Sequence, residues 1–397
     1  MPLRRVLPLL LLACSGSEEH ARAPSPTPVV PDASLAIADV PPADVPPPAD
    51  AAVPAPSAKG AKAPKLELAF VGDLMFGGYF DDHYDPQFVE KHDPLVDIES
   101  KLAADLTFGN FETTITRKLP NNGGPHDGKG NKRFVTLKER AAVLARNGRF
   151  DAVTLANNHQ LDNDVPGLVE TPAILDELGL KYVGAARKDR NDRFLVEAID
   201  VKGWKVGFLA ATAQTNRTPL RDPGPHIAYV PAPALKNQLV PVITAARASH
   251  DLLVVQIHWG QEYEDAPARW QIDTAHAFID AGADIVIGHH PHVLQGIERY
   301  KGGVIAYSLG NFVFPNAKER VRDTGILHLT YAAKANCLDA IAFDPAIQIR
   351  TPITHPIPAI GNNKQEVGTR LATLSKPFST VWDVTGERFT APAACTK

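Results

Sequence analysis

The chain has 397 residues, enough for one large domain or two smaller ones, and its 44% hydrophobic content supplies a sizeable core. A formal net charge of −4 and a pI near 6.4 leave no basic footprint, so nucleic acid is set aside as a partner.

The first 14 residues carry Arg4 and Arg5, a short leucine-rich stretch and a small residue before Cys14. That apolar run is too short to cross a bilayer, so it reads as an export signal. Leu11-Leu12-Ala13-Cys14 resembles a bacterial lipobox, which implies a lipid on Cys14, a membrane anchored through its acyl chains and a place in the cell envelope. Residues 15–64 hold 12 prolines in 50 positions with almost no aromatic side chain, too little apolar surface to fold, and read as a disordered tether. Only Cys337 and Cys395 then remain, as one disulfide clamping the C-terminal tail or as two free thiols.

Residues 66–71 are an apolar strand that ends at Gly72-Asp73. A helical segment is expected over 88–105, then a short strand at 106–108 that delivers Asn110 and Glu112. Residues 121–130 form a Gly/Asn-rich surface loop, and 137–147 a helix closed by Gly148. The strand 152–155 runs into Asn157-Asn158-His159, where Asn158 offers a hard-cation ligand and His159 a proton donor. A helix over 166–178 stops at Gly179, and Lys202-Gly203 marks a hairpin. A helix over 234–248 leads to a central strand, 252–257, ending in His258-Trp259-Gly260-Gln261-Glu262-Tyr263.

A helix over 268–281 then precedes the most distinctive stretch, an Ile285–Ile287 strand followed within five positions by His289, His290 and His292. Pro291 is expected to hold the residue before it extended and the loop rigid. A hairpin turns at Lys301-Gly302-Gly303, and strands over 325–332 and 340–350 are expected to complete a second sheet.

Five strand ends therefore present Asp73, Asn110 with Glu112, Asn158 with His159, His258, and the 289–292 histidines. Mixed carboxylate, amide oxygen and imidazole donors suit Mn²⁺, Fe or Zn²⁺ better than Ca²⁺. Convergence of such loops on one edge of a layered α/β sandwich makes a hydrolytic metal centre.

Six motifs in order resemble the CapA capsule-synthesis family: Gly72-Asp73, Asn110-x-Glu112, Asn157-Asn158-His159, His258-Trp259-Gly260-x-Glu262-Tyr263, Gly288-His289-His290-Pro291-His292 and Ser308-Leu309-Gly310-Asn311-Phe312. That family is similar to calcineurin-like metallophosphoesterases and is linked to poly-γ-glutamate capsule assembly or export. The resemblance implies an α/β fold, a four-layer α-β-β-α sandwich, over residues 65–360, with 361–397 as a C-terminal extension. It implies metal ligands among Asp73, Asn110, Glu112, Asn158, His258, His290 and His292, and catalytic roles for His159 as general acid, Asp73 and Glu262. Where the phosphoesterases carry a histidine two positions after the first Asp, this chain has Met75. One well-occupied divalent transition-metal site is therefore expected over two. Two functions compete: a metal-dependent hydrolase acting on a phosphoester or amide, and a non-catalytic accessory protein that binds an anionic polymer alongside other capsule-synthesis proteins. A purely structural lipoprotein leaves the polar strand ends without a purpose.

Overall fold

The computed structural model describes residues 61–79, 93–118, 133–185, 194–217, 226–316, 318–334, 336–350, 353–393 and 395. The export signal, most of the tether, the start of the expected 88–105 helix and the 121–130 loop lie outside the described residues.

Two sheets face each other. In β1 (Lys65–Leu74) alternate side chains point to opposite faces, so Leu66, Leu68 and Phe70 enter the core between the sheets while Ala69 and Val71 enter a second core under the helices. β1 runs parallel to β3 (Leu106–Phe111), which is followed across the sheet by β6 (Ala152–Thr154) and β7 (Lys181–Val183). On the other edge of β1, β15 (Asp323–Ala332), β16 (Cys337–Ile349) and β17 (His355–Pro358) continue the sheet antiparallel. β14 (Asn311–Val313) pairs with the end of β1, and β18 (Phe389–Ala391) with β16.

The second sheet has the order β12 (Ile297–Tyr300), β13 (Gly303–Ala306), β11 (Ile285–His289), β10 (Leu252–His258), β9 (Trp204–Thr212) and β8 (Glu197–Val201). Its four inner strands are parallel, and each edge is a hairpin turning at Lys202-Gly203 or Lys301-Gly302, all four residues at positive φ. A small third sheet joins β2 (Gly78–Tyr79), β5 (Phe134–Leu137) and β4 (Thr114–Thr116).

Aromatic rings in contact tie the two large sheets together: Phe70 stacks on Phe108 at 5.2 Å, and Phe108 meets Phe208 of β9, tilted, at 5.0 Å. Outside the second sheet, α4 (Leu235–Arg247) buries Leu235, Leu239, Ile243 and Ala246, and α5 (Arg269–Asp280) buries Ala275, Phe278 and Ile279. Outside the first, α3 (Asp164–Glu177) contributes Ile174 and Leu175. It stops at Gly179, where φ is 73° and the Leu180 N–H bonds back to Leu175 O at 3.0 Å. The result is the four-layer α-β-β-α sandwich expected. α6 (Gly361–Ser375) packs against β12 and β16, and a Cys337–Cys395 disulfide fastens the segment beyond β18.

Three local expectations are corrected. Within 93–105 only α1 (Glu99–Leu102) is helical, because the Asp93 carboxylate accepts the Leu95 N–H at 3.0 Å and is gripped by Arg149, which favours turns. In place of a helix over 137–147, β5 reaches Leu137 and α2 (Lys138–Ala141) is one turn long; Asn147 and Gly148, both left-handed, end the segment. The strands near 325–332 and 340–350 join the first sheet, since β15 satisfies the open edge of β1 from Lys65 to Phe70.

Candidate metal centre

The parallel strands of both sheets end on one side, and there the polar side chains meet. β1 brings Asp73 beside Asn110 of β3 and Asn311 of β14, while β10 brings His258 beside His289 of β11. Close backbone approach is a condition of this arrangement. A Cβ on Gly72 would lie 1.9 Å from Gly310 O, so only glycine lets these two segments touch and the Asp73 N–H reach Gly310 O at 3.0 Å.

Asp73 is fully buried and its carboxylate is saturated. Oδ1 accepts Asn110 Nδ2 at 2.8 Å and lies 3.2 Å from His289 Nδ1; Oδ2 lies 3.2 Å from His292 Nδ1 and 3.4 Å from the His290 N–H. Burial alone would raise its pKa, but the hydrogen bonds and charge of His289 and His292 hold the carboxyl well below the usual carboxylate range. Asn110 is the organiser of the floor: its amide nitrogen faces Asp73, Glu112 and His258, and its oxygen accepts Asn157 Nδ2 at 3.1 Å.

Glu112 is the opposite case. Its Oε1 is buried and has no hydrogen-bond partner, yet the Nε2 atoms of His258, His159 and His292 stand 3.6, 3.8 and 3.8 Å from it. Burial, and behind it the negative charges of Asp73, Glu262 and Asp162, push this carboxyl well above the usual range. A buried carboxylate oxygen left without a donor is costly, and several imidazole nitrogens surround it. His258 and His290 are held neutral: burial comes first for both, and a neighbouring imidazole, His290 for His258 and His292 for His290, makes a second positive charge unfavourable, so that His290 is lowered to about 3. His290 Nδ1 is buried without a hydrogen-bond partner, so its lone pair is open to a cation, whereas His258 has Asn110 Nδ2 3.3 Å from Nδ1 and Asn158 Oδ1 2.8 Å from Nε2. His292 goes the other way: burial lowers it, but the hydrogen bond and charge of Asp73 raise it overall.

These donors fit a divalent transition metal. Among the described residues, Glu112 with His258 and His290, Asp73 with Glu112 and His292, and Glu262 with His290 and His292 each place three ligand atoms within 4.8 Å of one another. Asn158 lies at the same point, its Oδ1 2.8 Å from His258 Nε2. Glu262 is exposed at the rim, so its contribution comes from solvent side.

His159 stands beside this cluster. Its Nδ1 lies 2.6 Å from Asp162 Oδ2, which also accepts the Phe134 N–H at 2.6 Å, so the ring is fixed with Nε2 turned toward Glu112. Burial raises the Asp162 carboxyl, against the pull of His159. Phe134 packs on His159 with ring centroids 4.2 Å apart, and Phe314 packs on His292 at 4.6 Å. Met75 joins these two rings in a small apolar cluster, so the position two beyond Asp73 supplies a wall and no donor.

The structure brings the residues singled out in the sequence to one place, but Asn110, expected as a metal ligand, turns its amide nitrogen to the centre and gives its oxygen to Asn157 at 3.1 Å, and the supports of the site were missed. His289 holds Asp73 on one side and Gln256 Oε1, at 3.0 Å, on the other; Asn158 Nδ2 donates to Asn216 Oδ1 at 3.2 Å; Asn311 Oδ1 takes His292 Nδ1 at 2.8 Å. The His159-x-x-Asp162 spacing carried a signal for its pair; Gln256 and Asn216 had none. The extended geometry expected before Pro291 is also corrected. His290 has φ 95° and His292 φ 57°, a region rare for residues other than glycine, held here by the contacts to Asp73.

The fold is an α-β-β-α sandwich whose parallel strand ends gather histidines and carboxylates into one candidate metal centre. The family described as bacterial capsule synthesis protein PGA_cap matches residues 67–316, a span that contains every site residue from Asp73 to Asn311. The chain is 32% identical over 328 residues to the PGA biosynthesis protein CapA of Bacillus subtilis, covering 82% of each chain. It is 33% identical over 270 residues to the capsule biosynthesis protein CapA of Bacillus anthracis, covering 66% of this chain and 63% of that one. A phosphatase from Mycoplasma pneumoniae of solved structure is similar at 14% identity and a TM-score of 0.45, over 72% of this chain and 95% of that one. The chain belongs to the PGA_cap family and is CapA-like.

Proposed function

We propose that this protein acts in synthesis or export of a capsule or poly-γ-glutamate polymer as a metal-dependent hydrolase of a phosphoester or amide in an anionic substrate. The observation that carries the reading is the orphaned Glu112 Oε1, ringed by imidazole nitrogens and flanked by the His159–Asp162 pair. Glu112, His258, His290 and Asn158 would hold one Mn²⁺, Fe or Zn²⁺ ion, with Asp73 and His292 as a weaker second set. A bound ion of this class supplies Lewis acidity toward a phosphoryl or carbonyl oxygen and toward water.

The protein's own groups supply the rest. Asp162 accepts the Nδ1–H of His159 and fixes its orientation, leaving Nε2–H to protonate a departing oxygen or nitrogen. Asp73 orders His289 and His292, and Glu262 at the rim meets the incoming substrate. Phe134, Phe314 and Met75 keep water from that side. The same apolar wall favours the second reading, a metal-holding accessory protein that binds the polymer without cleaving it, because it replaces a donor where the phosphoesterases have one. The names of the relatives, PGA and capsule biosynthesis proteins, support either. For its location we propose the cell envelope, through a lipid on Cys14, with the Cys337–Cys395 disulfide in keeping with an oxidising compartment.

The test is elemental analysis after mild dialysis, with turnover of phosphomonoester and phosphodiester panels in added Mn²⁺. About one ion per chain is expected, and His159→Ala is expected to cut turnover about 100-fold or more while keeping the metal. Metal without turnover in the unaltered protein selects the accessory role; a count near two overturns the single-site reading.

A further inference from the structure

The rim loop that follows β10 is fixed to its surroundings at several points. Gln214 Nε2 donates to Gly260 O at 2.6 Å, the Tyr263 N–H to Pro291 O at 2.8 Å, and Gln295 Nε2 to Glu264 O at 2.8 Å. Tyr263 has φ 68°, and the residues on both sides of Pro291 are left-handed too, so backbone strain gathers at this mouth. The loop sets the Tyr263 ring 6.3 Å from the ring of His292. From the segment after β14, Asn316 Nδ2 donates to Tyr263 Oη at 3.2 Å, and Asn316 Oδ1 accepts the Lys318 N–H at 3.1 Å. Lys318 is exposed, and its Nζ lies over the Tyr263 ring, 3.1 Å from the centroid.

The arginines around this loop all meet acids. Arg320 and Arg370 pair with Asp265 at 2.8 and 2.5 Å, and Arg322 pairs with Glu366 at 2.7 Å. Lys318 differs: among the described residues no carboxylate oxygen lies within 4.0 Å of its Nζ, and its contact is the ring. A ring face attracts an ammonium without cancelling its charge, and the N–H groups remain able to meet anionic oxygens. Seating the side chain on the ring also removes part of the entropy that a free lysine would lose on binding. Glu262, the adjacent acid whose charge reaches Tyr263, stands with His290 and His292 in one donor group, where a metal ion would claim it. We propose that Lys318, seated on Tyr263, is the specificity-determining residue of the centre. It receives a carboxylate or phosphate group of the substrate at the mouth, with Tyr263 as its positioning platform. The proposal rests on the metal-centre reading for the chemistry it serves, but not for anion binding itself.

The test titrates the full-length protein in Mn²⁺ calorimetrically with inorganic phosphate and, separately, with γ-linked tetraglutamate. Lys318→Gln is expected to weaken binding of the tighter probe about tenfold and to flatten its dependence on salt, since a charge contact is lost. Lys318→Arg should bind within about twofold of the original, because the charge stays. Tyr263→Leu removes the platform and keeps the charge, and should weaken binding about threefold, whereas Tyr263→Phe keeps the ring and the affinity. Lys181→Gln removes an equal charge at the start of β7, the strand end away from the centre, where Lys181 pairs with Glu197, and should change nothing. The tighter probe distinguishes a phosphoester from a carboxylate polymer as the source. The proposal is overturned if the unaltered protein binds neither probe, if Lys318→Gln or Tyr263→Leu binds as the original does, or if Lys181→Gln loses as much as Lys318→Gln. Elemental analysis of the same samples tests the metal centre separately. Binding that depends on Lys318 without a bound ion leaves the proposal standing and removes the metal reading; a bound ion without that dependence does the reverse.

Discussion

Replacing Glu112 with glutamine keeps its shape and removes its charge, and the structure gives two opposite consequences. Glu112 is common to both fully buried donor groups, so losing its anionic oxygen weakens each of them. Loss of a supporting residue outside the ligand shell typically costs 10–100-fold in metal affinity, so a direct anionic ligand should cost at least about 100-fold. Without metal the sign reverses. Glu112 is buried against the negative charges of Asp73, Glu262 and Asp162, so the neutral amide relieves repulsion and should stabilise the metal-free fold by about 1–3 kcal/mol. The gain has a pH dependence. Below the ordinary glutamate range both folded and unfolded chains hold the proton and the difference vanishes; as pH rises above it, the unfolded chain ionises first, and only the unaltered protein loses stability. Competition against a fluorescent chelator gives the affinity, and thermal melts with and without EDTA at pH 4 and pH 7 give the stability. A Glu112→Gln protein that binds metal within about threefold of the original and melts identically without it would refute the assignment, since the charge would then be doing neither task.

Asp162→Asn replaces the charged acceptor that orients His159 at 2.6 Å with a neutral amide, and should lower turnover about 100-fold or more with metal content unchanged, as read from initial rates beside elemental analysis. Gly72→Ala would place a methyl 1.9 Å from Gly310 O, a clash with backbone that cannot swing aside; a loss of about 3 kcal/mol in urea unfolding is expected, and a loss under about 1 kcal/mol would mean the two segments separate freely. Reducing Cys337–Cys395, which closes a span of 58 residues, should cost about 2–4 kcal/mol, seen as a lower melting temperature in dithiothreitol that a Cys395→Ser variant reproduces in its absence.

What the sequence by itself determined is the kind of protein and the addresses of its chemistry. Apolar β-branched runs such as Ile285–Ile287 must be strands buried on both faces, and a parallel strand hands whatever follows it to the edge of the sheet. That is why Asp73, Glu112, His159, His258 and His290 were legible one strand at a time, and why Gly179 marked a helix end. Hairpin turns were equally local, written in Lys-Gly pairs. Tertiary structure decided the rest, because it depends on contacts between positions far apart in the chain. Nothing near residue 325 says that β15 will close the open edge of β1, where Phe70 pairs with Leu327 and Lys65 with Ala332; that follows from which edge is left unpaired. Nothing in Asn110-x-Glu112 says that the amide will organise the floor while Glu112 Oε1 is left without a donor; that follows from Asn157 and Asp73 claiming Asn110 first. The positive φ at His290, set against the preference of a residue before proline, belongs to the same class: Asp73, 217 positions earlier, holds the backbone there. Local patterning chooses which side chains stand at the strand ends, and the packing of two sheets, through burial and the pairing of buried polar atoms, chooses which of their atoms remain free to bind.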